Sequence, residues 1–190
     1  MTHPWIRGNT LTASEPQRGL VAVPNLFQLD CMLGRIVTLA EAPEYRKQLR
    51  ADGRRVVATN GCFDLLHVGH LRYLMQARAL GDFLWVGLNG DKSVCDLKGP
   101  NRPYVPEVER AELLAAWRTV DAVTIFPGVR ATEFLRAVEP DIYVKGGDYT
   151  PESLNPEEAA VLRTCKTKIE IVPFVPNHST TALAKKIGLA

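Results

Sequence analysis

The chain has 190 residues, 46% of them hydrophobic, with 23 basic and 21 acidic side chains and a net charge of +2. This suits one globular domain with a real core, and excludes a disordered chain or a strongly basic nucleic-acid-binding surface. No apolar run approaches the roughly 20 residues that span a bilayer and no signal-peptide core opens the chain, so a soluble cytoplasmic protein with no membrane partner is expected.

In chain order, residues 1–35 read as an irregular extension, because Pro4, Gly8, Pro16, Gly19 and Pro24 interrupt any periodicity. A helix follows over 39–50, with Gly53 placed to end it. The β-branched run at 56–59 reads as a buried strand, and Asn60-Gly61 turns the chain. The next helix places Leu71, Leu74 and Met75 at helical spacing. A second strand spans 83–88. Pro106 opens a helix whose Val108, Leu113, Leu114 and Trp117 are expected to face inward. Strands at 122–126, 142–145 and 168–172 alternate with helices at 132–138, 156–165 (capped by Asn155) and 179–187. Five strands alternating with helices predict an α/β fold, a mostly parallel sheet covered on both faces. Ligands of such sheets sit beyond the carboxyl ends of the strands, where strand order reverses.

Chemistry concentrates between the first of these strands and its helix. His67 and His70 are three residues apart at a helix start and share a face, while Gly69 between them permits close approach of a ligand. A strand, a glycine-bearing loop and a helix start together make a phosphate site. Two imidazoles there can donate hydrogen bonds to oxygens that gain charge during transfer. HxxH alone reads equally well as a metal pair or as surface histidines. Cys62, in the same loop, reads as a small hydrophobe rather than a nucleophile. With Cys31, Cys95 and Cys165 it forms no CxxC pair, so neither a zinc site nor a disulfide framework is expected.

Three later stretches carry similar chemistry. Residues 98–104 form a loop with two cations, Lys98 and Arg102, and Arg110 follows on the next helix; composition alone reads this as a solvated basic loop. Lys145-Gly146-Gly147-Asp148 pairs glycines with groups that bind phosphate and hydroxyls, or is a plain glycine turn. Ser179-Thr180-Thr181 opens a helix with three hydroxyls, where capping needs one.

The segment NGCFDLLHVGH, over residues 60–70, resembles the signature of the HxGH nucleotidyltransferases, in their cytidylyltransferase-like branch. The turn Gly61-Cys62-Phe63-Asp64 and the pair His67 and His70 carry the resemblance, which extends from about residue 36 to the C-terminus. It implies a Rossmann-like, doubly wound parallel sheet in one domain, 36–190. It implies that His67 and His70 stabilise the α-phosphate of a nucleoside triphosphate and that Lys98 holds its outer phosphates. Asn60, Gly61, Cys62, Phe63, Gly69, Ser179, Thr180 and Thr181 become nucleotide-binding positions. Arg102 becomes a contact to the second substrate's phosphate, with Asp64, Asp91, Arg110, Lys145, Gly146 and Asp148 as further substrate-binding positions. Mg²⁺ accompanies ATP, with no protein side chain assigned to it. Relatives are commonly dimers, so a homodimer is implied, to which the apolar Leu26, Phe27 and Leu29 can contribute.

VKGGDY at 144–149 together with STT at 179–181 narrows the resemblance to the adenylyltransferases that move AMP from ATP onto D-glycero-β-D-manno-heptose 1-phosphate, in stand-alone form because the chain is too short for a sugar-kinase domain as well. Glycerol-3-phosphate cytidylyltransferases, the alternative, share HxGH and STT. They carry an arginine shortly before STT, where this chain has Phe174, Val175, Pro176 and Asn177. A nucleotide-binding module without turnover is a third reading, against which both histidines and the loop lysine weigh.

Overall fold

The computed structural model describes residues 33–147, 154–173 and 180–189. Over these the chain runs β1 (Arg35–Ile36), α1 (Ala42–Ala51), β2 (Val56–Gly61), α2 (Val68–Arg78), β3 (Phe83–Asn89), α3 (Asp91–Lys98), α4 (Glu107–Ala115), β4 (Ala122–Phe126), α5 (Thr132–Val138), β5 (Ile142–Gly146), α6 (Pro156–Thr164), β6 (Lys168–Val172) and α7 (Thr180–Lys186). All strand pairs are parallel, in the order β1-β4-β3-β2-β5-β6. The sheet grows from β2 through β3 and β4 to one side, and through β5 and β6 to the other. Strand order therefore reverses between β2 and β5, whose carboxyl ends flank the crevice where ligands of such sheets bind.

Alternation along the strands divides the core into two layers. Val56, Ala58, Trp85 and Tyr143 pack on one face with Phe134, Leu135 and Leu162 of α5 and α6. Val57, Leu84, Val86 and Val144 pack on the other with Leu74 and Leu114 of α2 and α4. All seven residues of β3 are buried, as a central strand covered on both faces requires. At the amino ends of the strands, an aspartate just before each of β3, β4 and β5 accepts a backbone N–H from the start of a neighbouring strand or the residue before it. Asp82 accepts from Arg55 (3.0 Å), Asp121 from Leu84 (2.7 Å) and Asp141 from Val56 (2.7 Å). These bonds pin the register far from the crevice.

Trp85 Nε1 donates to Thr124 Oγ1 at 2.9 Å, and that hydroxyl donates to the Val37 carbonyl at 2.7 Å, all inside the core. Thr124→Val keeps the shape but orphans the indole N–H. Leaving a buried donor unmet costs about 1–3 kcal/mol, so chemical denaturation should show a loss of that size; a variant as stable as wild type would refute the argument.

The sheet has six strands where five were expected. The sixth, β1, is only two exposed residues long, too short to show alternation, and it begins within the stretch read as irregular. Pairing of Arg35 with Ala122 and Ile36 with Val123 ties it to β4. Helix α3 was not expected either: it is eight residues long and buries only Ser93 and Val94, a short core-facing stripe. On α4, Val108 and Leu113 face solvent. The buried face is Arg110, Ala111, Leu114 and Ala115, with the Arg110 guanidinium bonded to backbone carbonyls inside it. Met75 of α2 is likewise exposed, while Leu74 is buried. No helix among the described residues is long and apolar enough to cross a membrane.

Candidate active site

The loop leaving β2 is bent back on itself. Phe63 adopts a left-handed φ of 43°, and its ring is buried against the imidazole of His70, centroids 5.3 Å apart. Gly61 makes room for this fold-back, since a Cβ there would lie 3.1 Å from the Phe63 ring. His67 then caps α2: its backbone is extended and its Nδ1 accepts from the His70 N–H at 3.4 Å. The two imidazoles stack, centroids 3.8 Å apart and planes 21° from parallel. Gly69 lies in the first turn between them.

Burial, with a smaller push from His67, lowers the His70 pKa to about 4, so His70 is a neutral imidazole at pH 7. Its Nδ1 is buried without a hydrogen-bond partner among the described residues. A neutral imidazole carries one N–H donor, and this one stands beside the positive end of an 11-residue helix.

Asp64 is buried and its carboxylate is fully engaged. Oδ1 accepts the N–H groups of Tyr104 (2.7 Å) and Val105 (3.2 Å), and Oδ2 accepts from Arg102 Nε at 2.5 Å. Arg102 also lies over the Tyr104 ring, 4.4 Å from its centroid. The Tyr104 hydroxyl donates to the Leu189 carbonyl at 2.8 Å, which holds the residues after α7 to the same loop. The geometry favours Asp64 as an anchor for residues 102–105 over a substrate contact, and Arg102 as its partner.

Arg110 has a similar place. It has no exposed side-chain surface and gathers four acceptors: the carbonyls of Val105 (2.8 Å), Cys62 (2.5 Å) and Asn89 (3.0 Å), and Asp91 Oδ1 (2.6 Å). It stands behind the crevice and ties the β2 loop, the end of β3, α3 and the 102–105 loop together. Asp91 is half-exposed, and its backbone N–H donates to Glu107 Oε2 at 2.6 Å.

Lys98 ends α3 beside Gly99, whose φ of 104° turns the chain. It is exposed and makes no ion pair among the described residues. Its charge reaches Cys62, whose thiol pKa is raised by burial against the opposing pull of Lys98, Arg110 and Arg102.

Across the crevice, Lys145 near the end of β5 donates to Asn60 Oδ1 at 2.8 Å and lies 3.8 Å from Glu158 Oε2. The Tyr143 hydroxyl donates to the same Asn60 oxygen. Glu158 in turn accepts the Ala131 N–H at 2.9 Å. Gly146 closes β5 beside Lys145, half-buried. Thr180 and Thr181 open α7. Asp148 and Ser179 lie outside the described residues.

Sequence reasoning missed Tyr143, Glu158 and Tyr73, whose hydroxyl joins Thr59 (2.7 Å) to the Val144 carbonyl (3.0 Å) across the β2–β5 junction. A tyrosine in a strand or a helix reads as packing, and a glutamate in a first helical turn reads as a favourable surface charge. No local pattern marks them.

A parallel sheet with its switch point at β2 and β5, stacked histidines at a helix start and a cation from each flank define an α/β domain of the nucleotidyltransferase class. The chain belongs to the cytidylyltransferase-like family, whose model matches residues 58–186. Among curated relatives, the bifunctional protein HldE of Trichlorobacter lovleyi is 49% identical over 138 residues, covering 73% of this chain and 28% of that protein. The bifunctional protein HldE of Methylobacillus flagellatus is 38% identical over 174 residues, covering 92% of this chain and 33% of that protein. The chain thus spans a third or less of the length of these relatives. A solved structure, the lipopolysaccharide core biosynthesis protein from Thermoplasma volcanium, superposes with a TM-score of 0.54 at 26% identity, over 65% of this chain and 98% of that one.

Proposed function

We propose that this chain transfers AMP from ATP to D-glycero-β-D-manno-heptose 1-phosphate, giving ADP-heptose and pyrophosphate. The observation that carries this reading is the stacked pair His67 and His70 at the start of α2, the helix that follows β2 at the switch point. The likeness to HldE proteins and to a lipopolysaccharide core biosynthesis protein supports a sugar phosphate as acceptor.

An oxygen of the acceptor phosphate attacks the α-phosphorus of ATP; the new P–O bond forms as the bond to the β-phosphate oxygen breaks, and that electron pair leaves with pyrophosphate. A phosphate whose second pKa is about 6 is already ionised at neutral pH, so no side chain needs to take a proton. Catalysis then rests on positioning and on stabilising charge. His67 and His70 donate to the α-phosphate oxygens, and Lys98 takes the β- and γ-phosphates. Gly61 to Phe63 and Gly69 let backbone approach the nucleotide, and Ser179, Thr180 and Thr181 offer it hydroxyls. Asp64, Arg102, Arg110 and Asp91 hold the loops that carry these groups, and Lys145, Gly146 and Asp148 face the acceptor.

Among the described residues no three or more of His, Cys, Asp and Glu gather as a metal site. A Mg²⁺ accompanying ATP, to which no side chain is assigned, would supply charge neutralisation at the phosphates. Small molecules are the partners in this reading, in a homodimeric cytoplasmic protein.

Pyrophosphate release with Mg²⁺, with ATP or CTP crossed against heptose 1-phosphate or glycerol 3-phosphate, tests the proposal. Release with ATP and the heptose alone is the expected result. Release with CTP and glycerol 3-phosphate would keep the mechanism and overturn the substrates. Silence in every combination, with nucleotide still binding, would favour a module without turnover.

A further inference from the structure

The side-chain oxygen of Asn60 receives two donors, the ammonium of Lys145 at 2.8 Å and the hydroxyl of Tyr143. A lysine ammonium can only donate, so the atom facing it has to be the carboxamide oxygen. The orientation of Asn60 is thereby set by chemistry. Glu158, 3.8 Å from the Lys145 nitrogen and itself buried, favours the charged form of the lysine. Burial pulls the other way.

With its oxygen turned inward, Asn60 leaves both hydrogens of Nδ2 unclaimed among the described residues. The residue is half-buried, near the carboxyl end of β2. By strand alternation it lies on the sheet face of Tyr143 and Lys145, opposite the face that packs α2. We propose that Asn60 is a specificity-determining contact that offers only hydrogen-bond donors to a substrate phosphate oxygen, and that Lys145 and Tyr143 are positioning residues that lock its carboxamide in that sense. The inference rests on the adenylyl-transfer reading and deepens it. A phosphate oxygen has lone pairs and no proton, so a donor-only group suits it; a hydroxyl would be met equally well by an acceptor.

Asn60→Asp tests this in the full-length chain. The aspartate keeps the shape and the bonds to Lys145 and Tyr143, but it replaces two donors by an oxygen that repels phosphate. Losing a hydrogen bond to a charged group predicts a fall in kcat/KM of about 10–100-fold, with the melting temperature unchanged or raised. Varying ATP and the sugar phosphate separately shows which phosphate Asn60 meets, through the KM that rises. Lys145→Gln frees the carboxamide to turn over and should raise the same KM, while Lys145→Arg, another donor-only group, should recover most of it.

An Asn60→Asp enzyme within threefold of wild type overturns the proposal, as does a Lys145→Gln variant that loses stability with both KM values unmoved. If wild type itself releases no pyrophosphate, the adenylyl-transfer reading fails, and side-chain amide NMR decides the inference independently. The Asn60 NH₂ signals, identified by their loss in Asn60→Asp, should then shift on adding ATP or heptose 1-phosphate. No shift with either ligand overturns it.

Discussion

Replacement of His70 by alanine should lower turnover by about 10²–10³, the effect of deleting one donor aimed at a transition-state oxyanion. Three features make this variant a clean probe. The hydrogen bond that caps α2 runs from the His70 backbone N–H to His67, so it survives the loss of the side chain. Alanine is the best helix former, so the first turn of α2 is kept. The His70 imidazole is neutral near pH 7, so its removal leaves no buried countercharge stranded. The fold should therefore persist while chemistry fails, with kcat falling far more than nucleotide affinity. Single-turnover pyrophosphate release and a thermal melt on the same sample measure both quantities. A folded His70→Ala enzyme that keeps more than a tenth of wild-type turnover would remove His70 from the chemistry.

The readability of this site followed chain distance. Residues 60–70 form one strand, one turn and one helix start, so the juxtaposition of Asn60, Gly61, Phe63, His67 and His70 is local and their spacing spoke directly. The expected alternation of strands and helices was legible for the same reason: each element declares itself by its own periodicity. Arg110 was not legible in its true setting. It meets Cys62 across 48 residues of sequence, a contact that no local pattern around residue 110 records. Asp64 meets Arg102 across 38 residues and Tyr104 across 40, so its hold on a remote loop left no mark in the local sequence. The β1 strand and helix α3 escaped because each is short and buries little: β1 is two exposed residues, and α3 buries only Ser93 and Val94.

Arg110→Leu should be the most destabilising change among the residues behind the crevice. Removing one partner of a buried ion pair costs about 3–5 kcal/mol, and the magnitude here can be narrowed. Asp91 is 42% exposed, so its carboxylate regains water when the guanidinium is gone. The Cys62, Asn89 and Val105 carbonyls meet the guanidinium where its side chain has no exposed surface, and the leucine offers them nothing. The cost therefore falls toward the lower end, about 3 kcal/mol, with a fall in melting temperature of about 6–12 °C for a chain of this size. Lysine at this position should recover little, because a single ammonium cannot reproduce a planar fork that reaches four acceptors on separate elements. Asp91→Asn keeps an oxygen acceptor at the half-exposed end of the pair but leaves the buried guanidinium without its countercharge, so it should cost about 1–2 kcal/mol, still less than Arg110→Leu. The order Arg110→Leu, then Arg110→Lys, then Asp91→Asn in decreasing damage, read by urea denaturation, separates a buried carbonyl clamp from a simple salt bridge. If Asp91→Asn proved as damaging as Arg110→Leu, the ion pair and not the carbonyls would hold these loops together. In the clamp reading the Cys62 carbonyl also fixes the turn that presses Phe63 against His70, so Arg110→Lys, where it still folds, should lose turnover out of proportion to its loss of stability.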